Sequence, residues 1–377
     1  MNTVKILHCA DIHIGAAESF LGPLAAGRRA ETLITFERII DLGVKESVDA
    51  VLIAGDLFDK NNIEQSFVSS VLNKIASVPD IKVIFAAGNH DPLIPGSPFV
   101  SNKLPDNLYI LKTYDDCIGF EDRGFRIYGR SFDSAYMTGE SDFSVKPPQD
   151  GIINIMVIHG ELNSDLNACY NPITEAFIKS SEMDYMALGH VHKRTEPLLS
   201  GKTYYSYSGC PEGQGFDECD EKGVYIVKVG KGICEAEFIS VAKRRHIRES
   251  IDITAFNTSA EIASAVLRLL EKKYGAGFSE NLYRIELTGS FPADAVPNLS
   301  EIKARLADRV YFIKFKDLTE PAVDYDELSK EISLKGLFVK NMLKRLNDAP
   351  ESEKPTLRTA LKLGLEAFGS EVAFDED

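Results

Sequence analysis

Short apolar runs alternate with longer amphipathic stretches in the first half of the chain, and this pattern predicts an α/β fold. Runs of four to eight apolar residues bounded by turn residues are typical of buried strands. The stretches Arg29–Ser47 and Ile63–Ser77 repeat apolar residues at three- and four-residue spacing, which predicts helices. This order implies right-handed crossovers and a largely parallel or mixed sheet. The predicted strands are Val4–Ala10, Ala50–Ala54, Val83–Ala87, Ile152–Ile158, Tyr185–Leu188, Thr203–Ser208 and Gly223–Val229.

A smaller α+β module and a helical hairpin are predicted to follow. The module consists of Ile247–Ile253 (strand), Ser259–Tyr274 (helix), Leu282–Thr288 (strand), Leu299–Ala307 (helix) and Val310–Lys316 (strand). Pro321–Asp326 is interpreted as a linker, and the hairpin helices as Leu328–Leu346 and Lys354–Phe368. We therefore expect three domains, at residues 1–240, 245–320 and 328–370.

The second helix of the hairpin carries an apolar stripe that needs a partner. Its members are Leu357, Leu361, Leu365 and Phe368. The hairpin either folds onto its own domain or docks on another protein. Because such a small helical pair has little core of its own, docking is at least as well supported.

Five predicted strands each end in residues that can bind a metal ion. These ends are Asp11-Ile12-His13, Gly55-Asp56, Gly88-Asn89-His90-Asp91, His159-Gly160 and Gly189-His190-Val191-His192. Functional groups in open α/β sheets collect at the carboxyl ends of strands. Five of the seven histidines lie in these motifs, whereas His8 and His246 are interpreted as packed or solvated residues. Each motif is weak alone, but the full set predicts one site.

Oxygen and imidazole donors without a thiolate suit Mn²⁺, Fe²⁺ or Zn²⁺. A dinuclear centre needs a carboxylate between ions about 3.5–4 Å apart. Asp56 follows a glycine on a tight turn and is the natural bridge. We therefore expect two divalent ions, which these donors allow to be Mn²⁺, Fe²⁺ or Zn²⁺.

The set DxH, GDxxD, GNHD, HG and GHxH resembles the calcineurin-like metallophosphoesterase superfamily. More narrowly, ILHCADIHIG, GDLFD, GNHD and GHVH resemble the SbcD-type DNA-repair exonucleases and their archaeal and eukaryotic counterparts, and SGCPEGQGFDECDEKGVYIV resembles the end of their nuclease domain. The resemblance implies a β-sandwich flanked by helices, a small α+β capping domain, and a C-terminal hairpin that docks on a partner ATPase.

The resemblance also implies a role for each matching residue. It assigns the first metal to Asp11, His13, Asp56 and His192, and the second to Asp56, Asn89, His159 and His190. His90 is then the acid that helps the leaving oxygen depart, or stabilises charge on the phosphorane, and Asp91 orients it. Asp59 stands where some relatives carry a histidine, and Gln214 where close relatives carry an arginine.

The expected reaction is phosphodiester hydrolysis, in which two ions share a water, lower its pKa and direct hydroxide in line at phosphorus. The resulting hypothesis is a Mn²⁺-dependent DNA exonuclease or endonuclease subunit, bound to an SbcC-type coiled-coil ATPase through the C-terminal helices. The alternative is a stand-alone phosphoesterase acting on a nucleotide or small phosphate ester, since this superfamily hosts many substrates. A non-catalytic scaffold is disfavoured by the intact ligand set.

Two segments leave a partner surface open. The helix Ile63–Ser77 either packs on its own sheet or forms part of a two-fold dimer face, and a homodimer is expected from the resemblance. The basic segment Phe238–Arg248 is either an interdomain linker or a track for a DNA backbone through Lys243, Arg244 and Arg245.

Charge and cysteine content refine this hypothesis. The net charge is −15, and residues 1–240, with 21 basic and 34 acidic side chains, carry −13 of it. Such a chain is expected to bind DNA weakly alone, and to need metals, a dimer and a basic partner. Six cysteines without a CxxC pair, no signal peptide and only strand-sized apolar runs predict a cytoplasmic protein with reduced thiols and no membrane partner.

Overall fold

Strands and helices alternate along most of the chain. The computed structural model describes residues 2–139, 143–144, 146–148, 150–162, 168–292, 297–322 and 324–368. Within them the strands are β1 (Thr3–Cys9), β2 (Ala50–Ala54), β3 (Lys82–Ala86), β4 (Leu108–Ile110), β5 (Asp116–Phe120), β6 (Phe125–Arg130), β7 (Ile153–His159), β8 (Glu161–Leu162), β9 (Pro172–Ile173), β10 (Tyr185–Gly189), β11 (Leu198–Ser200), β12 (Thr203–Tyr207), β13 (Gly223–Gly230), β14 (Ile233–Ser240), β15 (His246–Asp252), β16 (Leu282–Thr288), β17 (Ser290–Pro292), β18 (Phe312–Asp317) and β19 (Glu320–Ala322). The α-helices are α1 (Ala25–Lys45), α2 (Gln65–Ala76), α3 (Pro98–Ser101), α4 (Glu175–Ser181), α5 (Ser259–Tyr274), α6 (Leu299–Leu306), α7 (Tyr325–Leu328), α8 (Leu334–Asp348) and α9 (Lys354–Ala367).

Two six-stranded sheets, both mixed, dominate the described part of the chain. The first has the order β14-β13-β1-β2-β3-β4, in which β1 to β4 run parallel and β13 pairs antiparallel with β1. The second has the order β11-β12-β10-β7-β6-β5, in which β12, β10, β7 and β6 run parallel. The predicted mixed α/β class is confirmed.

The hydrophobic core has layers on both faces of the sheets. Successive strand residues point to opposite faces, so Ile6 packs between the sheets while Leu7 packs under α1 and α2. The inner layer joins residues of the first sheet, such as Leu52, to residues of the second, such as Val157 and Ala187. A further cluster covers the outer face of the second sheet beneath α4. This is a β-sandwich flanked by helices.

The strand ends explain where polar side chains collect. The parallel strands β1, β2 and β3 end at one edge of their sheet, and β7 and β10 end at one edge of theirs. Both edges carry the motif residues, and hydrogen bonds join the two sets. The amide of His190, after β10, donates to Asp11 Oδ1 at 3.0 Å, after β1.

The described residues divide into two compact units. The first comprises the residues up to Glu249 together with Leu270–Ile285 and Ala307–Lys314. The second comprises Ser250–Leu269, Glu286–Leu306 and the described residues from Phe315 onward. The expected domains at 1–240, 245–320 and 328–370 stay a prediction, and residues 369–370 lie outside the described residues.

The C-terminal helices differ from the predicted hairpin in one respect. The expected helix Leu328–Leu346 is interrupted, because α7 ends at Leu328 and α8 begins at Leu334. The Ser333 hydroxyl accepts a hydrogen bond from Gly336 N at 3.0 Å and so caps a new helix. Helices α8 and α9 then pack through Val339, Met342 and Leu361. Among the described helices, none is both long enough and apolar enough to cross a bilayer.

Candidate metal centre

The turns after β1, β2 and β10 hold their polar residues in an unusual backbone conformation. Asp11, His13, Asp56 and His190 all have positive φ, between 49° and 102°. Side chains disfavour this region, so surrounding contacts must hold it. The amides of Asp11 and His13 donate to the carbonyls of Gly55 and Asp56, each at 3.0 Å. The two turns therefore fix each other.

Glycines let side chains of the centre approach the backbone. A Cβ on Gly88 would lie 2.1 Å from Asp56 Oδ1, which no real contact allows. A Cβ on Gly55, where φ is +93°, would lie 2.2 Å from His159 Nδ1. The glycines of GD and GN thus make room for a carboxylate and an imidazole.

The carboxylates of Asp11 and Asp56 are buried at the middle of the centre. Asp56 Oδ1 accepts a hydrogen bond from His90 N at 3.0 Å. Its Oδ2 lies 3.4 Å from His159 Nε2 and 3.8 Å from His13 Nε2. One oxygen therefore faces two histidines from different sheets, which is the position a bridging ligand would occupy.

Backbone and carboxylate partners orient the imidazoles. His159 Nδ1 lies 2.9 Å from the carbonyl of Ala54, and since a carbonyl only accepts, Nδ1 carries the proton. His159 Nε2 then faces Asn89 Oδ1 at 3.0 Å. On the other side, His13 Nε2 and His192 Nε2 approach to 3.1 Å. Nε2 thus points inward on these rings, and on His159 the backbone partner of Nδ1 fixes that direction, as it does in metal-binding histidines.

The donor atoms fit a dinuclear centre. Three groups hold three donor atoms each within 4.8 Å of one another, and they share members: Asp11, His13 and His192; His13, Asp56 and His90; and Asp11, Asp56 and His159. His13 Nδ1 is buried and has no hydrogen-bond partner among the described residues. Shared carboxylates and converging imidazoles are the donors that Mn²⁺, Fe²⁺ and Zn²⁺ accept.

His190 lies at the edge of this cluster. Its ring centroid is 5.2 Å from that of His159 and 5.0 Å from that of Tyr170. Burial, followed by the charge of His159, lowers the pKa of His190 to about 4. His190 is therefore neutral at physiological pH, which is the form that coordinates a metal.

The Asp91 carboxylate bonds to backbone amides, and its expected role in orienting His90 stays a prediction. The carboxylate is fully buried and accepts from Phe58 N at 3.0 Å and Gly88 N at 2.9 Å, so it ties together the turns after β2 and β3. The His90 ring is held through Nδ1, 2.9 Å from the carbonyl of Asp59. His90 itself is exposed, and its ring centroid is 4.7 Å from that of His13.

The three side chains expected to form a DNA track lie near carboxylates, and the track itself stays a prediction. Arg244 makes bidentate contacts of 2.8–3.0 Å with Glu31, and its guanidinium lies 3.5 Å from the centre of the Tyr311 ring. Lys243 Nζ lies 3.0 Å from Glu31 Oε1. Arg245 lies 3.7 Å from Glu221 and keeps a side chain that is 39% exposed. Arg244 therefore contributes to internal packing, because its guanidinium pairs with the buried carboxylate of Glu31.

Sequence reasoning missed Glu218. Its Oε1 lies 2.6 Å from His192 Nδ1, and His192, Cys210 and Glu218 form a fourth group of close donor atoms. Burial opposes a charged imidazole, yet contacts with Cys210 and Glu218 raise the pKa of His192 to about 11, so a metal ion at Nε2 would have to displace a proton. Burial likewise opposes the Glu218 carboxylate, yet His192 lowers its pKa to about 2. The only sequence signal was its place in the segment that resembles the end of the nuclease domain.

Comparison with known proteins agrees with this geometry. Residues 4–194, half of the chain, match the family described as calcineurin-like phosphoesterase. The uncharacterized metallophosphoesterase YhaO of Bacillus subtilis (strain 168) is 28% identical over 73% of this chain and 68% of the relative. The DNA double-strand break repair protein Mre11 of Sulfolobus acidocaldarius is 24% identical over 77% and 76%. A subunit of the nuclease SbcCD from Bacillus subtilis (strain 168) is 24% identical over 61% and 67%. Its strand ends also carry donor atoms that fit a dinuclear metal centre. The chain belongs to the calcineurin-like phosphoesterase family.

Proposed function

We propose that the chain is a Mn²⁺-dependent DNA phosphodiesterase, the nuclease subunit of a DNA-repair complex. The observation that carries this proposal is the exposed His90 ring beside a buried cluster of carboxylates and imidazoles. Relatives named as a double-strand break repair protein and as a nuclease subunit support the choice of DNA.

The buried residues of the centre and the exposed His90 have different proposed roles. Those that would hold two ions are Asp11, His13, Asp56, Asn89, His159, His190 and His192. When bound, the ions would supply Lewis acidity and lower the pKa of a water so that it ionises at neutral pH. To act as the acid, the His90 ring would have to be doubly protonated, with Nδ1–H donating to the Asp59 carbonyl. Nε2 of the exposed ring would then give its proton to the departing sugar oxygen and leave a neutral ring that keeps the Nδ1 proton.

The C-terminal helices are proposed to bind a coiled-coil ATPase. Leu334, Leu337 and Leu363 remain exposed although α8 and α9 pack on each other. Apolar side chains on a helical pair suit the apolar seam of a coiled coil. Co-elution of the chain with the candidate ATPase in size-exclusion chromatography, lost in Leu337→Asp, tests the surface, and light scattering of the chain alone tests the expected homodimer.

The deciding experiment compares two substrates. The EDTA-treated chain should be inactive, and addition of Mn²⁺ should restore cleavage of end-labelled duplex DNA in preference to a small phosphodiester. Cleavage of the small ester alone, with no DNA cleavage even beside the ATPase, would reject the repair function.

One observation favours the alternative substrate. Arg244, expected on the DNA, is committed to Glu31. A stand-alone phosphoesterase for a nucleotide or small phosphate ester needs no such track. The same substrate comparison decides between the two functions.

A further inference from the structure

We propose that Glu218 is a positioning residue that fixes the tautomer and direction of the His192 ring. This inference rests on the proposed metal centre, in which His192 is a ligand. Glu218 lies 26 residues beyond His192, outside every motif that predicted the centre. It acts through His192 and does not itself touch the reacting atoms.

The contact between the two side chains is short and directional. Glu218 Oε1 lies 2.6 Å from His192 Nδ1, within the range of charge-assisted hydrogen bonds. A carboxylate only accepts, so His192 Nδ1 carries the proton and Nε2 becomes the inward donor atom. That Nε2 is the atom 3.1 Å from His13 Nε2. The carboxylate therefore selects the nitrogen that faces the other ligands.

The second carboxylate oxygen is held just as firmly. Glu218 Oε2 accepts from Gln214 N at 3.0 Å and from the buried Cys210 thiol at 3.3 Å. With both oxygens engaged, the carboxylate cannot rotate without losing several hydrogen bonds. The Glu218 side chain thus has one defined orientation.

The same loop also holds the backbone of His192. The carbonyl of His192 accepts from the buried Lys222 Nζ at 2.8 Å and from Cys210 N at 3.2 Å. Arg28, on α1, donates to the carbonyl of Gly213 at 3.0 Å and anchors the loop to the sandwich. Backbone and ring of one ligand are therefore fixed by residues 210–222, as expected for a preorganised ligand.

Metal affinity measured directly tests the role without relying on turnover. Mn²⁺ is titrated calorimetrically into EDTA-treated wild type, Glu218→Ala, Glu218→Gln and Asp217→Asn. Asp217 is an exposed carboxylate on the same loop, so Asp217→Asn removes the same charge as Glu218→Gln without touching His192. Loss of an outer partner of a ligating histidine weakens metal binding about 10–100-fold.

In Glu218→Ala we expect Mn²⁺ binding to weaken about 10–100-fold at one of two sites. Glu218→Gln keeps an acceptor oxygen and should weaken binding less. Asp217→Asn should bind Mn²⁺ with wild-type affinity. Circular dichroism identifies folded variants, and Glu218→Gln carries the test if Glu218→Ala does not fold. Equal weakening in Asp217→Asn and Glu218→Gln, or wild-type binding in both Glu218 variants, rejects the positioning role while the metal centre stands. Wild type that binds no Mn²⁺ rejects the centre and this inference together.

Discussion

At the scale of single residues, His90 stands apart from the other histidines of the centre because its ring is exposed. The expected His90→Ala variant loses about 10²–10⁴-fold in turnover, the usual contribution of a general acid. Its Mn²⁺ affinity should stay near that of wild type, because His90 is not among the seven proposed ligands, although its ring lies close to His13 and Asp56. Steady-state kinetics and calorimetry measure the two quantities, and near-normal turnover contradicts the role.

For Asp91 the prediction concerns the free energy of unfolding. Asp91→Ala leaves the buried amides of Phe58 and Gly88 without their acceptor. Each unsatisfied buried group costs about 1–3 kcal/mol, so for two amides we expect the free energy of unfolding to fall by about 2–6 kcal/mol in urea titration. Asp133→Ala, at an exposed carboxylate, is the control and should change little. A variant that keeps full stability and loses only turnover would support the orienting role for His90.

At the scale of elements, the turn after β3 works only because Gly88 lacks a side chain. Gly88→Ala brings a Cβ within 2.1 Å of Asp56 Oδ1, so the carboxylate must move. We expect Mn²⁺ binding to weaken at least about 10-fold, which calorimetry measures. The control is Gly27→Ala in α1, where no atom lies within 4 Å of the new Cβ and helix propensity predicts a gain of about 0.5–1 kcal/mol. Unchanged affinity in Gly88→Ala would mean that Asp56 is not a ligand.

Helix α1 joins the loop of Glu218 through a buried ion cluster. Arg28 is 1% exposed and lies 2.8 Å from Glu18, 3.2 Å from Glu31 and 2.9 Å from Glu212. Arg28→Met leaves these carboxylates without their shared cation, and breaking a buried pair costs about 3–5 kcal/mol. Chemical denaturation measures this cost, and Arg305→Met, which loses an exposed pair with Glu301, should cost no more than about 1 kcal/mol. Equal costs would show that the buried cluster contributes no more to stability than an exposed ion pair.

At the scale of the whole molecule, the charge of −15 limits how the chain holds DNA. Non-specific binding depends on cations that displace counterions from phosphates. Fluorescence anisotropy of a labelled duplex should therefore show weak binding by the chain alone, with a shallow dependence on salt. Arg244→Gln should leave that dependence unchanged, because Arg244 already pairs with Glu31. A drop in the slope by about one charge would place Arg244 on the DNA surface.

The sequence alone predicted the α/β class, most strands of the sandwich and the identity of the family. Those predictions succeed because periodicity is a local property: a short apolar run that ends in Asp, His or Asn records both a buried strand and the polar turn after it. The edge strand β14 was missed because its side chains alternate between apolar and charged and so lack the continuous apolar run of a buried strand. The break between α7 and α8 was missed because a serine can lie within a helix or cap one, and the sequence does not show that the Ser333 hydroxyl accepts from Gly336 N.

The motifs along the chain were enough to predict which kinds of donor follow the strands and that these donors suit two divalent ions. The folded chain was needed to show which atoms face one another: Asp91 accepts from backbone amides, Arg244 pairs with Glu31, and Glu218 accepts from His192. Along the chain, Glu218 lies 26 residues from His192, Phe58 lies 33 residues from Asp91, and Glu31 lies 213 residues from Arg244. Spacing along the chain encodes the direction of a strand or a helix face, whereas the partner of a buried charge depends on which segments folding brings within hydrogen-bond distance.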